Sequence, residues 1–130
     1  MKCLGTDLLI AILRGKEEAR GRVAELDAEG HEATTSINVF EVFFGAYRSK
    51  RESENVKEAV KLLGRLEVFS LDRSSSRKAG EIAAKLAAKG ETIDFRDAMI
   101  AGIAMENGLT LLTRNKSHFS RINGLKLETW

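Results

Sequence analysis

The chain has 130 residues, 43% of them hydrophobic and 31% charged, which excludes a disordered polymer and fits one domain over residues 1–130. A chain of this length buries roughly two-thirds of its unfolded surface, so it needs no disulfide or structural metal to fold. A formal net charge of +2 is too small to declare a nucleic-acid partner, and the lone Cys3 excludes an internal disulfide.

Residues 1–5 read as a short first strand, with Cys3 as a buried thiol. Thr6 and Asp7 then cap a helix through Leu13, a side-chain oxygen accepting exposed backbone N–H groups. The apolar run 8–13 lies between Asp7 and Arg14. It is far too short to span a membrane and has no cleavage site after it, so it reads as a buried helix. Together with the single cysteine, this predicts a cytoplasmic protein. Residues 16–29 form a second helix with a modest stripe from Val23 and Leu26, stopped by Gly30. Residues 32–36 are β-leaning.

The helix over residues 37–50 carries Phe40, Phe43, Phe44 and Tyr47 on one stripe and Val39, Val42 and Ala46 on another. Two apolar faces exceed what one surface helix hides and point to a protein partner. A helix over residues 52–63, a strand over 67–71 and an Ala-rich helix over 73–89 follow. Then come a helix over 94–107, a buried strand over 109–112 and a short edge strand over 125–127. Strands separated by helices pair in parallel through crossovers. The predicted architecture is a three-layer α/β/α sandwich on a short parallel sheet, its site beyond the carboxyl ends of the strands.

Glu41, Asp97 and Asn115 fall at or near those ends, and Thr113 precedes the last of them. Carboxylates brought together from separate elements are what a hard cation such as Mg²⁺ or Mn²⁺ needs to position and acidify a water for phosphodiester hydrolysis. Structural readings stand beside this one. Asp94 and Asp97 are three apart at a helix start, where both suit capping and the helix dipole. Asn115 suits a turn. Glu41 lies among Phe40, Phe43 and Phe44, where an acid needs a wet cleft, a partner charge or a metal.

Basic residues cluster at Arg14, Lys16, Arg20 and Arg22, at Arg48, Lys50 and Arg51, and at Arg114 and Lys116. Phosphate contacts and solvated helix faces both produce this pattern. His31 and His118 have no metal-ligand spacing and read as surface or turn residues. No Gly-rich phosphate loop and no paired nucleophile and base are present. Trp130 is expected to pack on the sheet edge.

Four segments in order resemble the PIN-domain family. Leu4-Gly5-Thr6-Asp7-Leu8 is similar to its opening, where an Asp, Thr and Asn or Asp precede an apolar helix. Asp94-Phe95-Arg96-Asp97-Ala98 is similar to its later acidic motif. Thr110-Leu111-Leu112-Thr113-Arg114-Asn115 looks like its closing strand and turn, and His118-Phe119 stands where an Asp-Phe pair is common. The resemblance spans the chain and is closest to VapC-type toxins of toxin–antitoxin pairs.

It implies an endoribonuclease using Mg²⁺ or Mn²⁺, a homodimer, and inhibition by a cognate VapB-like antitoxin. Glu41 and Asp97 then match the second and third family acids and metal ligands. Asn115 matches the fourth polar position, Thr113 its support, and Asp94 an auxiliary acid. Gly5 stands where the first metal-binding Asp is expected. Asp7 is expected to point away as a cap, so metal binding and cleavage should be impaired. Arg114 is a candidate RNA contact, and Phe43 and Tyr47 are candidate antitoxin contacts whose replacement should spare the fold. A degenerate module that binds RNA or protein without cutting is the alternative, and a PIN nuclease acting in RNA processing or on single-stranded DNA a third.

Overall fold

The computed structural model describes all residues, 1–130. Five strands form one parallel sheet in the order β3-β2-β1-β4-β5. They are β1 (Lys2–Leu4), β2 (Glu32–Thr35), β3 (Glu67–Phe69), β4 (Thr110–Leu112) and β5 (Lys126–Glu128). Before β2 come α1 (Thr6–Leu13) and α2 (Glu17–Glu29). Between β2 and β3 lie α3 (Ser36–Tyr47) and α4 (Glu52–Leu63). Between β3 and β4 lie α5 (Arg73–Ala88) and α6 (Phe95–Glu106), and α7 (Lys116–Phe119) precedes β5. Every element expected from the sequence is present within a few residues. The four-residue α7 is the addition, too short to leave a periodic pattern.

Alternation along the strands builds the three layers, because neighbouring side chains on a strand leave opposite faces. Cys3 and Leu111 enter one core, with Ala79, Ile82 and Leu86 of α5 and Ala98, Ala101 and Ala104 of α6. Leu4 and Leu112 enter the other, with Leu8 and Leu9 of α1, Leu26 of α2, Val42 of α3 and Leu63 of α4. Cys3 is fully buried, and burial pushes its thiol up to about 12, so it is an inert core group as expected.

The Ala-rich face of α6 lets α5 approach until a Cβ at Gly102 would sit 2.6 Å from the Ser75 carbonyl. Only glycine fits there. Edge strand β5 is held by Glu128, which accepts from Lys2 and Arg22, and these cations hold its carboxyl below the usual range. No helix is long and apolar enough to cross a membrane.

The expected double face of α3 splits cleanly. Val42 and Ala46 are buried, whereas Phe40, Phe44 and Tyr47 are about half exposed. Phe40 stacks on Phe44, whose ring also carries the Arg48 guanidinium. Phe43 does not share that exposure. It packs partly buried against the second core, which corrects the expectation that it is as free to change as Tyr47.

Candidate active site

Chain order places β1 at the centre, with β2 and β3 added on one side and β4 and β5 on the other. The direction of sheet growth reverses between β1 and β4, and a crevice opens beyond their carboxyl ends, the usual ligand position in such sheets. Here it is a pocket of about 260 Å³. Gly5, Thr6 and Asp7 follow β1, Asn38 and Glu41 come from α3, Asp97 from α6, and Thr113 and Asn115 follow β4. Two acids from separate helices thus meet at one cavity with the two polar residues expected beside them.

A line of hydrogen bonds fixes Glu41. The Thr35 hydroxyl donates to Asn38 Oδ1 at 2.7 Å, Asn38 Nδ2 donates to the Thr6 hydroxyl at 2.8 Å, and that hydroxyl donates to Glu41 Oε1 at 2.7 Å. Thr35 also caps α3 by accepting the Asn38 N–H. Asn38 is 1% exposed, so this chain resists rearrangement: a broken member would leave a polar group without water. The other Glu41 oxygen faces Arg96 Nη1 at 3.6 Å. Arg96 also grips Asp94, donating at 3.1 and 3.2 Å, and those bonds hold the Asp94 carboxyl below its ordinary range. Asp94 caps α6 through the Arg96 N–H, as the sequence suggested.

Asp97 is largely sheltered and lies 3.3 Å from His118 Nδ1. Burial raises its pKa and the Asp94 charge adds to that, while His118 and Arg96 oppose it. Asn115 stands at the pocket rim, exposed, at the start of α7, and its N–H donates to Thr113 Oγ1.

Two sequence readings need correction. Asp7 does not cap α1. Gly5 occupies that position and no side chain caps the helix. The Asp7 carboxylate instead reaches across to the β4 turn. It accepts from the Thr113 hydroxyl (2.7 Å), the Arg114 N–H (2.8 Å) and the Trp130 indole N–H (2.9 Å). Having three protein donors, it outcompetes the local cap and ties β1 to β4 and the chain end. His118 is exposed, as expected, but it is not isolated, because α7 brings it to Asp97.

Asn38 and Arg96 were given no role from sequence, and Thr6 was expected only as a cap of α1, which it does not provide. The one signal for Thr6 and Asn38 in the site was their place shortly after strands. Arg114 is turned toward the chain end, its Nε donating to the Trp130 backbone oxygen and its guanidinium stacked 3.7 Å from the indole centroid. Trp130 packs partly buried against the second core.

A hard cation asks for several oxygens, carboxylates first. No three His, Cys, Asp or Glu side chains gather closely enough to hold one. Glu41 and Asp97 reach the pocket, Asp7 is consumed by its three donors, and position 5 supplies no ligand. The residues present do not complete a divalent site. The backbone at Gly5 (φ −73°, ψ 163°) is ordinary extended chain, so the gap is one of side chain and not of conformation.

The PIN domain family matches residues 2–125. The chain is 36% identical over 96 residues to the tRNA(fMet)-specific endonuclease VapC of Salmonella typhimurium, covering 74% of this chain and 73% of that one. It is 29% identical over 127 residues to the protein of the same name from Shigella flexneri, covering 98% and 96%. Among solved structures it superposes on a DNA-bound VapBC complex from Salmonella typhimurium (TM-score 0.89, 33% identity, 100% and 99% covered). It also superposes on DNA-bound VapBC2 from Rickettsia felis (TM-score 0.91, 28% identity, 99% and 98% covered).

Proposed function

Because the chain belongs to the PIN-domain family and is of its VapC type, we propose that it is the toxin ribonuclease of a VapBC-type pair, its metal site weakened by Gly5. The observation that carries this reading is the meeting of Glu41 and Asp97, from separate helices, in the crevice between β1 and β4. The endonuclease and ribonuclease names of the relatives support RNA as substrate, and the VapBC structures support an antitoxin partner. With an acid restored at position 5, Glu41, Asp97 and that acid would be the residues to hold Mg²⁺ or Mn²⁺, which would supply an acidified water and charge neutralisation. The chain's own residues orient these groups: Thr6 and Asn38 fix Glu41, and Thr113 and Asp7 fix the turn that presents Asn115. The same reading implies a cytoplasmic homodimer.

For the antitoxin, a groove of about 180 Å³ between α1, α3 and α4 has Ile10, Leu13, Val42 and Ala46 among its lining residues. It suits the apolar face of an amphipathic helix. The test of the enzymatic reading is cleavage of a fluorogenic RNA by this chain and by Gly5→Asp, each with Mg²⁺, Mn²⁺ and EDTA. Cleavage by Gly5→Asp alone, abolished by EDTA, is the expected result. Equal robust cleavage by both forms would overturn the role given to Gly5. Failure of both on RNAs that a related VapC cuts would favour a non-catalytic binding module.

A further inference from the structure

The acidic pocket does not end at Asp97. That residue also borders a hollow of about 360 Å³ lined only by polar and charged residues, with a second carboxylate, Asp94, beside Thr92, Ser117, His118 and Arg121. Arg121 in turn borders a third cavity, of about 370 Å³, between α5 and the segment after α7. The three hollows share walls in sequence and make one path from Glu41 and Asp97 to the outer side of α5.

Charge changes sign along this path. The third cavity is rimmed by Lys78, Lys85, Lys89 and Arg121 against one carboxylate, Glu81. Lys85 and Lys89 follow Lys78 by seven and eleven residues, which lines them up along one side of α5 and its C-cap. Glu81 is shared between Lys78 at 3.0 Å and Lys85 at 3.6 Å, while Lys89 and Arg121 have no carboxylate partner. Arg121 is fixed where two hollows meet, because its guanidinium donates to the carbonyls of Thr92 at 2.7 Å and His118 at 3.4 Å. Below the cations lie Ile82, Leu86 and Ile122, nearly buried, so the groups that meet solvent in this cavity are chiefly the charged ones.

We propose that this basic cavity is a second RNA subsite, holding backbone phosphates that flank the bond presented to the acidic pocket. The inference rests on the ribonuclease reading. The carboxylates of the acidic pocket repel a phosphate backbone wherever no cation offsets them, so cations outside the pocket add attraction for the flanking strand. Phosphate neutralisation by nearby cations supplies that attraction without reading sequence.

The test uses the full chain and measures fluorescence anisotropy of a hairpin RNA and of a trinucleotide RNA over a salt series. The variant is Lys85→Gln with Lys89→Gln, both on the exposed rim, with its melting temperature checked against the parent. Loss of two exposed phosphate contacts should weaken the hairpin by about tenfold. The slope of log affinity against log salt should become shallower by about 1.4. The trinucleotide, which fills only the acidic pocket, should bind as before, and its cleavage by Gly5→Asp should not change. An unchanged hairpin affinity and slope would overturn the subsite while leaving that cleavage, and so the ribonuclease reading, intact. Equal loss for both RNAs would also overturn it, because the cations would then act through the general field. Failure of the hairpin to bind the parent chain would remove the subsite, and failure of Gly5→Asp to cut would separately remove the ribonuclease reading.

Discussion

Replacing Gly5 by Asp puts the site reading to a thermodynamic test independent of turnover. The backbone there accepts an L residue without strain, but the new Cβ is crowded. It lies 3.0 Å from Asp7 Oδ1, 3.1 Å from the Leu112 carbonyl and 3.3 Å from Thr113 Cβ. Those neighbours must give by a few tenths of an ångström, and overpacking of this kind costs about 1–3 kcal/mol. The added carboxylate also lies beside Asp7, and the two like charges repel until a cation arrives.

For a domain of this size each kcal/mol moves the melting temperature by about 3–5 °C. Gly5→Asp should therefore melt roughly 3–15 °C below the parent in EDTA. A cation at a hundred times its dissociation constant should return about 2.7 kcal/mol, recovering much of that loss. The parent chain, with no ligand at position 5, should respond far less to the same cation. Differential scanning fluorimetry of both forms across a Mg²⁺ and Mn²⁺ titration reads this directly. A Gly5→Asp form that gains no more from cation than the parent would refute the assignment of position 5 to the metal site.

Gly102→Ala should cost about 3 kcal/mol, because its methyl would meet the Ser75 carbonyl at 2.6 Å and the Ala79 nitrogen at 2.9 Å, neither of which can yield alone; urea unfolding checks it. Asn38→Ala should cost about 1–3 kcal/mol by leaving the buried Thr35 hydroxyl without an acceptor and the Thr6 hydroxyl without its donor, and in the Gly5→Asp background it should lower kcat as Glu41 loses its alignment. Tyr47→Asp should weaken antitoxin binding with little change in melting temperature, whereas Phe43→Asp should lower the melting temperature itself; calorimetry and melting curves separate the two.

Glu32 supplies a pH-dependent expectation. Burial pushes its carboxyl up to about 7, aided by the neighbouring Asp27, and Arg65 opposes the shift. The folded chain therefore binds this proton more tightly than the unfolded chain. Stability should fall as pH rises from about 4.5 to about 7 and level off above that. After discounting for solvent the effect is about 1 kcal/mol, and Glu32→Gln should remove it from urea midpoints measured across that range.

Most of the architecture was legible because its elements carry strong local signals. Apolar spacing marked the long helices, Gly30 and Gly108 marked two helix ends, and strands alternating with helices implied parallel pairing. Glu41, Asp97, Thr113 and Asn115 were legible as a group because each lies just past a strand end or in a helix's first turns. What stayed hidden depends on long-range geometry. Asp7 read as a cap because a cap is the local solution, and nothing nearby announces Thr113 or Trp130 as better partners. His118 read as isolated because 21 residues separate it from Asp97, and α7, which closes that gap, is a single turn. Arg96 drew no reading of its own, although it faces Glu41 and Asp94 together.

The central position of β1 has a consequence for synthesis. The first strand made must wait for its β4 neighbour, paired as Cys3 with Leu111, until most of the chain has left the ribosome. At about 5–20 residues per second that delay is several seconds or more. During it Asp7 lacks Thr113, Arg114 and Trp130, and the crevice lacks one wall. A nascent or prematurely released chain ending before residue 110 therefore has no assembled pocket, because the wall that carries Thr113 and Asn115 has not yet been made.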